Sequence, residues 1–168
     1  NRRWDPDFLT VKQLKAEGTI GEIYDIESCV TGSHGIPGDW RKVKEKGGGM
    51  LMDWGIHLID QMLQFDSSPV VDVDCDMSYI EGFEVDDGFT LRLRFQSGLR
   101  ATLIVDTNCF INRPRWRIQG TDGTAVIENW AREGKIVRVK EREDKYRRGI
   151  DAGNGFTRTM ADRSAVTV

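Results

Sequence analysis

From Pro69 onward the chain alternates apolar and polar residues one for one, and that period of two decides most of what it can become. Val71, Val73, Cys75, Met77 and Tyr79 interleave with Asp72, Asp74, Asp76 and Ser78, the pattern of a strand with one buried face. Phe89, Leu91, Leu93 and Phe95 repeat it, and a Ser97-Gly98 turn leads into Leu99, Ala101, Leu103 and Val105, so these two runs form a hairpin. Further strands are expected at 115–119, 124–128 and 135–139, with turns at Thr121-Asp122-Gly123 and Glu133-Gly134. Before Pro69 the period is helical. Asp5-Pro6 followed by Phe8, Val11 and Leu14 predicts a helix capped by Asp5 that ends before Gly18. Strand character at 20–31 and a loop at 32–46 separate it from a second predicted helix at 50–65. Helices first and hairpin-linked strands after describe an α+β domain: a mostly antiparallel open sheet with helices packed on one face. That domain is expected to span 1–140. Residues 141–168 are charged and aperiodic and are expected to be an extended or poorly ordered tail.

A chain of 168 residues is long enough for one core. Its net charge of −3 supplies no whole-molecule attraction to nucleic acid or to an anionic membrane. No apolar run approaches the roughly 20 residues of a membrane span. Cys29, Cys75 and Cys109 are odd in number and lack CxxC spacing, which reads as reduced, buried thiols in a cytoplasmic protein. Asn1 in place of a starting Met suggests a piece of a longer polypeptide.

The predicted helix at 50–65 is where chemistry is expected. At about 100° per residue, Asp53, His57, Asp60, Gln61 and Gln64 fall within an arc of roughly 100° on an otherwise apolar helix. A solvated face is the plain alternative. It would be expected to carry Lys, Arg or Glu, which are good helix formers, and this stripe has none. It has instead two aspartates and one of the two histidines in the chain. Histidine titrates near neutrality and suits general acid–base work, and Asp53 or Asp60 could orient it. Gly47-Gly48-Gly49 ahead of the helix would leave backbone N–H groups free and let a ligand or another backbone come close. Asp53, His57, Asp60 and His34 are possible metal ligands, but the spacing is not HExxH and no metal is expected. The chain contains no GxGxxG, GxSxG or P-loop pattern.

The run GGGMLMDWGIHLID, 47–60, resembles the C-terminal-domain motif of the glucose–fructose oxidoreductase and inositol dehydrogenase family (Gfo/Idh/MocA), in which three glycines lead into D-x-G-x-H-x-x-D. Asp53, Gly55, His57 and Asp60 occupy those positions without a gap. NRRWDPDF at 1–8 resembles the stretch that follows the family's catalytic-lysine loop. EGTIGEI at 17–23 is similar to its link from first helix to first strand. Asp39-Trp40-Arg41 matches a tryptophan–arginine pair ahead of the glycines, and TRTMADR at 157–163 also has family character.

The resemblance implies the substrate side of an NAD(P)-dependent oxidoreductase that moves hydride between NAD or NADP and a sugar or polyol hydroxyl. The cofactor would be bound mainly by an N-terminal Rossmann domain that this chain does not include, so the chain alone is expected to be inactive. By position, His57 would be the acid/base and Asp53 would orient it or hold a substrate hydroxyl. Asp60, Trp40 and Arg41 would bind substrate, and Arg2 and Arg3 would line the cofactor side. The family's catalytic lysine lies outside the chain. The resemblance also implies a homo-oligomer through the open sheet face, where Asp72, Asp74 and Asp76 meet Thr90, Arg92, Arg94, Arg100, Thr102 and Ile104. Two alternatives stay open: a non-catalytic sugar-binding or assembly protein of the same architecture, and an unrelated α+β binding module.

Overall fold

The computed structural model describes residues 2–139, 150–158 and 166–167. Helix α1 (Pro6–Glu17) starts with proline in its first turn and ends at Gly18, whose left-handed φ of 60° lets the following Thr19 N–H reach back to Leu14 O at 3.2 Å. Asp5 precedes the helix but does not cap it: its carboxylate accepts from Arg2 Nη1 at 3.2 Å instead. Strand β1 (Ile23–Thr31) begins later than its apolar pattern suggested, because Gly18 and Gly21, both at positive φ, turn the chain around the buried Ile20. Two short 3₁₀ turns, Trp40–Lys42 and Lys44–Lys46, occupy the loop that follows.

The segment expected to be one helix is two. Leu51–Gly55 winds as a wider π-helical turn, and only Ile56–Phe65 (α2) is α-helical. Gly55 presses on the sheet, where an added Cβ would lie 3.1 Å from Phe89 Cζ. Because the first turn is wider, a wheel drawn at a constant angle misplaces Asp53 relative to His57. The polar stripe is therefore not one surface. Gln61 is fully buried, with Nε2 donating to Arg2 O at 2.8 Å, while Gln64 is exposed.

Strands β2 (Val70–Ser78), β3 (Gly88–Phe95), β4 (Arg100–Asp106), β5 (Trp116–Gly120), β6 (Gly123–Ile127) and β7 (Gly134–Val139) follow. Val166–Thr167 (β10) pairs with β7, and β8 (Ile150–Gly153) with β9 (Phe156–Arg158) makes a separate hairpin. The rest of the tail expectation, including 159–163, lies outside the described residues. The main sheet has eight strands in the order β10-β7-β6-β5-β1-β4-β3-β2. It is antiparallel except that β1 runs parallel to β4. The hairpin series is thus split: β1, with Ile26, Ser28 and Cys29 buried, inserts between β4 and β5.

One face carries the core. Phe8, Val11 and Leu14 of α1 and Leu58, Met62 and Phe65 of α2 pack on Leu91, Leu93, Phe95, Ala101, Leu103, Trp116 and Ile118. Each large side chain buried there is worth about 1.5–3 kcal/mol. Phe8 stacks on Trp116 at 6.0 Å, and the indole donates to the buried Asp7 Oδ2 at 2.7 Å. Arg115 is buried beside them, with Nη1 on Ser28 Oγ at 2.5 Å. Its Nε lies 3.1 Å from Asp7 Oδ2 without the alignment to donate, and burial pushes this guanidinium down to about 10.

The opposite face is an Asp/Arg ladder. Asp72, Asp74 and Asp76 lie across from Arg94, Arg92 and Thr90, and Arg92 Nη1 reaches Asp74 at 2.7 Å and Asp76 at 3.0 Å. Ile104, counted with this face, is buried opposite Cys29. The three cysteines are free thiols, but Cys75 and Cys109 are only half-buried. Burial, helped by Glu27, pushes the Cys29 thiol up to about 12. No helix among the described residues is long and apolar enough to cross a membrane.

Candidate functional site

The glycine run serves the chain's own backbone. Gly48 N–H donates to Val43 O at 3.0 Å and Gly49 N–H to Arg41 O at 2.9 Å. A Cβ on Gly48 would collide with the Arg41 carbonyl, and one on Gly49, at φ 104°, with Asp86 Oδ1. Met50 N–H goes to Asp86 O at 3.0 Å and Leu51 N–H to Asp86 Oδ2 at 2.8 Å. The free N–H groups expected at this helix start are therefore all committed internally.

The close approach brings the Arg41 side chain onto the helix. Asp39 accepts from Arg41 N at 2.9 Å and from Arg41 Nη1 at 2.7 Å, and Arg41 Nε donates to Asp53 Oδ2 at 2.7 Å. The Asp53 carboxylate holds the Arg41 guanidinium above its ordinary range. Trp40 is exposed, and the Arg41 guanidinium lies 4.7 Å from its ring centre.

Asp39, Arg41, Asp53 and Trp54 line a cleft of about 480 Å³ together with His34 and with Asp106 and Thr107 at the end of β4. His57 does not line it. Its half-buried ring stands edge-on to Trp54, centroids 6.4 Å apart, and among the described residues it makes no hydrogen bond to either flanking aspartate. Asp60 is held by Arg3 through bonds of 2.6 and 2.7 Å, and that bond lowers the Asp60 carboxyl below its usual range. Arg2 stacks over Trp54 at 4.5 Å and faces Trp130 at 5.6 Å.

The structure thus joins Asp53 to Arg41 and Asp60 to Arg3, and sets Trp40 and Arg2 beside them. Sequence reasoning missed Trp54, Asp86, Asp106 and Thr107. Trp54 was hidden by its apolar character, and Asp86 by its distance along the chain. Among the described residues no three His, Cys, Asp or Glu side chains converge to hold a metal. The residues present do not fit a dinucleotide cradle either. The glycine amides are spent on Val43, Arg41 and Asp86, and the Arg3 charge is spent on Asp60.

Residues 8–126 match the family model for the GFO/IDH/MocA C-terminal domain. The scyllo-inositol 2-dehydrogenase (NADP(+)) IolW of Bacillus subtilis (strain 168) is 33% identical over 127 residues, which are 75% of this chain and 35% of that protein. The crystal structure of an NAD-binding protein from Listeria innocua is 48% identical, with a TM-score of 0.81 over 82% of this chain and 41% of that one. An aldose-aldose oxidoreductase from Caulobacter crescentus, complexed with glycerol, shares the fold at 23% identity, with a TM-score of 0.64 over 81% of this chain and 42% of that one. The chain spans about a third of the length of the curated relatives it matches.

Proposed function

Because the chain belongs to the GFO/IDH/MocA family, as its C-terminal domain, we propose that it is the substrate-side part of an oxidoreductase passing hydride between NAD or NADP and a sugar or polyol hydroxyl. A relative named for scyllo-inositol and NADP(+) supports that substrate class and that cofactor. The cofactor would sit on a separate Rossmann domain and would supply or take the hydride there.

This chain's share is the proton and the hydroxyls. The observation that carries the reading is the pairing pattern around His57. Both flanking carboxylates are engaged by arginines, Asp53 by Arg41 and Asp60 by Arg3, so the imidazole nitrogens are left for a substrate hydroxyl. A ring nitrogen of His57 accepts the hydroxyl proton as the carbon gives up hydride, and returns it in the reverse direction. Asp53, fixed by Arg41 on the cleft wall, accepts from a neighbouring hydroxyl. Of the residues that the resemblance assigns to substrate, Arg41 lines the cleft with Asp53, whereas Trp40 and Asp60 lie outside its lining. Arg2 and Arg3, assigned to the cofactor side, are engaged with Trp54 and Asp60.

The test is turnover in the polypeptide that joins this domain to its Rossmann partner. His57→Ala should lower kcat by about 10²–10⁴-fold with cofactor affinity unchanged. Full turnover by that variant would make His57 an ordinary helix residue and overturn its acid/base role, whereas a parent polypeptide without any turnover would leave a sugar-binding or assembly role. The 168-residue chain alone should bind NAD(P)H weakly or not at all in calorimetry, and micromolar binding would contradict a cofactor site on another domain.

Two further parts of the reading rest on composition and face chemistry. Free thiols and a small net charge suit a cytoplasmic protein that binds neither nucleic acid nor membrane. The ladder of Asp72, Asp74 and Asp76 against Arg92 and Arg94 suits a homo-oligomer, because a two-fold axis would set opposite signs against each other.

A further inference from the structure

Two consecutive carboxylates lie buried just before β3, and they face different parts of the fold. Asp87 serves its own connection: Oδ1 accepts from Ser78 Oγ and Oδ2 from Glu81 N–H, each at 2.7 Å. Asp86 reaches across to the site. Its backbone oxygen takes Met50 N–H at 3.0 Å and its Oδ2 takes Leu51 N–H at 2.8 Å, so one residue satisfies two successive amides at the start of the Leu51–Gly55 turn. Asp86 is 7% exposed, and burial raises its carboxyl while the two amides pull it back. Gly49 is the reciprocal feature, since a side chain there would displace Asp86 Oδ1.

We propose that Asp86 is a positioning residue for the Asp53–His57 segment, rather than a side chain that merely fills the core. A helix start is ordinarily capped by the residue before it, which binds amides two or three positions on. Met50 makes no side-chain cap here, and the clamp comes from a distant connection. That clamp fixes the first residue of the segment against the sheet. Phe89, three residues beyond Asp86, bears on Gly55 at the far end of the same turn. Held at both ends by one stretch of chain, the segment keeps its wide turn. The turn determines that Asp53 faces Arg41 and the cleft while His57 stands beyond Trp54. The inference rests on the reading of Asp53 and His57 as site residues.

Amide exchange and imidazole NMR on the 168-residue chain test it, helped by there being two histidines to assign. In the unmodified chain the Leu51 amide should be protected. Asp86→Ala should lower that protection by about tenfold, the worth of one lost hydrogen bond. The Leu103 amide in β4 should keep its protection, and the His57 resonance should move. Asp86→Asn, which keeps an acceptor oxygen, should restore both readouts. An unprotected Leu51 amide in the unmodified chain overturns the proposal, even if Asp86→Ala fails to fold. So does an unmoved His57 resonance in a folded Asp86→Ala, or an Asp86→Asn that behaves like the alanine variant. In the enzyme with its Rossmann partner, Asp86→Ala should lower kcat and leave the KM for cofactor unchanged. Undiminished turnover by His57→Ala would remove His57 from the proposed reaction while leaving the exchange result to stand for the clamp.

Discussion

The two faces of the sheet both set arginine against aspartate at about 3 Å, and almost everything else about the two arrangements differs. Beneath the helices, Arg115 Nε lies 3.1 Å from Asp7 Oδ2 with both side chains 3% exposed. On the open face, Arg92 lies 2.7 Å from Asp74 and 3.0 Å from Asp76, with the three side chains more than half exposed. Distance alone would rank the open pairs as stronger. Attraction also scales inversely with the local dielectric, which water keeps high on the open face and the core keeps low below it. Desolvation runs the other way, so the buried charges depend on each other and the open ones do not. Neighbours reinforce the contrast: Asp7 also holds the Trp116 indole, whereas nothing in the core depends on Asp74. Arg41 and Asp53 sit between these extremes, 28% and 18% exposed, shielded enough to stay aligned and open enough to meet a ligand.

The contrast is broken most sharply at Asp7. Asp7→Ala strands the buried Arg115 and frees the Trp116 N–H, and should cost about 3–5 kcal/mol in urea unfolding. A cost below about 1 kcal/mol would place the inner pair in the same class as the outer ladder.

At the site, Asp53→Asn should lower turnover about ten- to a hundredfold, the worth of hydrogen bonds to a charged group. That is a milder loss than for His57→Ala, because Asp53 is bonded to Arg41 and not to the imidazole. A loss equal to that of His57→Ala would mean that Asp53 orients the ring after all.

Cys29 supplies a smaller effect with a definite sign. Its folded pKa is raised to about 12, so an unfolded chain gives up this proton first. The thiol's stabilising contribution is complete below about pH 8.5 and is lost by about 1.4 kcal/mol per pH unit as pH rises towards its folded value. Cys29→Ala should therefore flatten the decline of stability between about pH 9 and 11 relative to the parent chain. An unchanged slope would show that the thiol is hydrated.

On the open face, Arg92→Ala with Arg94→Ala should change monomer stability by less than about 1 kcal/mol. Light scattering at about tens of micromolar, where moderate associations are populated, should show an oligomer for the parent. The pair of substitutions Arg92→Glu and Arg94→Glu should shift it towards monomer. A parent that stays monomeric at low salt would leave the ladder as a solvated surface.

Alternation made the strands legible, because a sheet with one wet face writes its period into every second residue. It misled on β2: at the sheet edge Val71, Val73, Met77 and Tyr79 are exposed where the period marked a buried face. Leu91, Leu93, Leu103 and Ile118 fall on the inner face as that period demands. The place of β1 was not legible, since nothing local says that Glu27 pairs with Thr102 on one side and Arg117 on the other. The site divides similarly. Asp53, His57 and Asp60 stand out as short polar groups on an apolar segment. Their arginine partners come from the preceding loop and from the chain start, and no periodicity links them. The π-helical turn was invisible for the same reason. The carboxylate that bonds its first amide, Asp86, lies far along the chain.

The insertion of β1 also sets an order of events for the growing chain. Its parallel partner starts at Arg100 and its antiparallel partner at Trp116, so the strand emerges long before anything exists for it to pair with. The hairpins β3–β4 and β5–β6 close locally and need little loop entropy, but the strand between them has both edges paired only when both are present. Such non-local closure is slow, and until it happens Ile26 and Val30 lie on a strand with two unpaired edges. The middle of this sheet is therefore joined by contacts far apart in sequence, while its hairpins on either side are local.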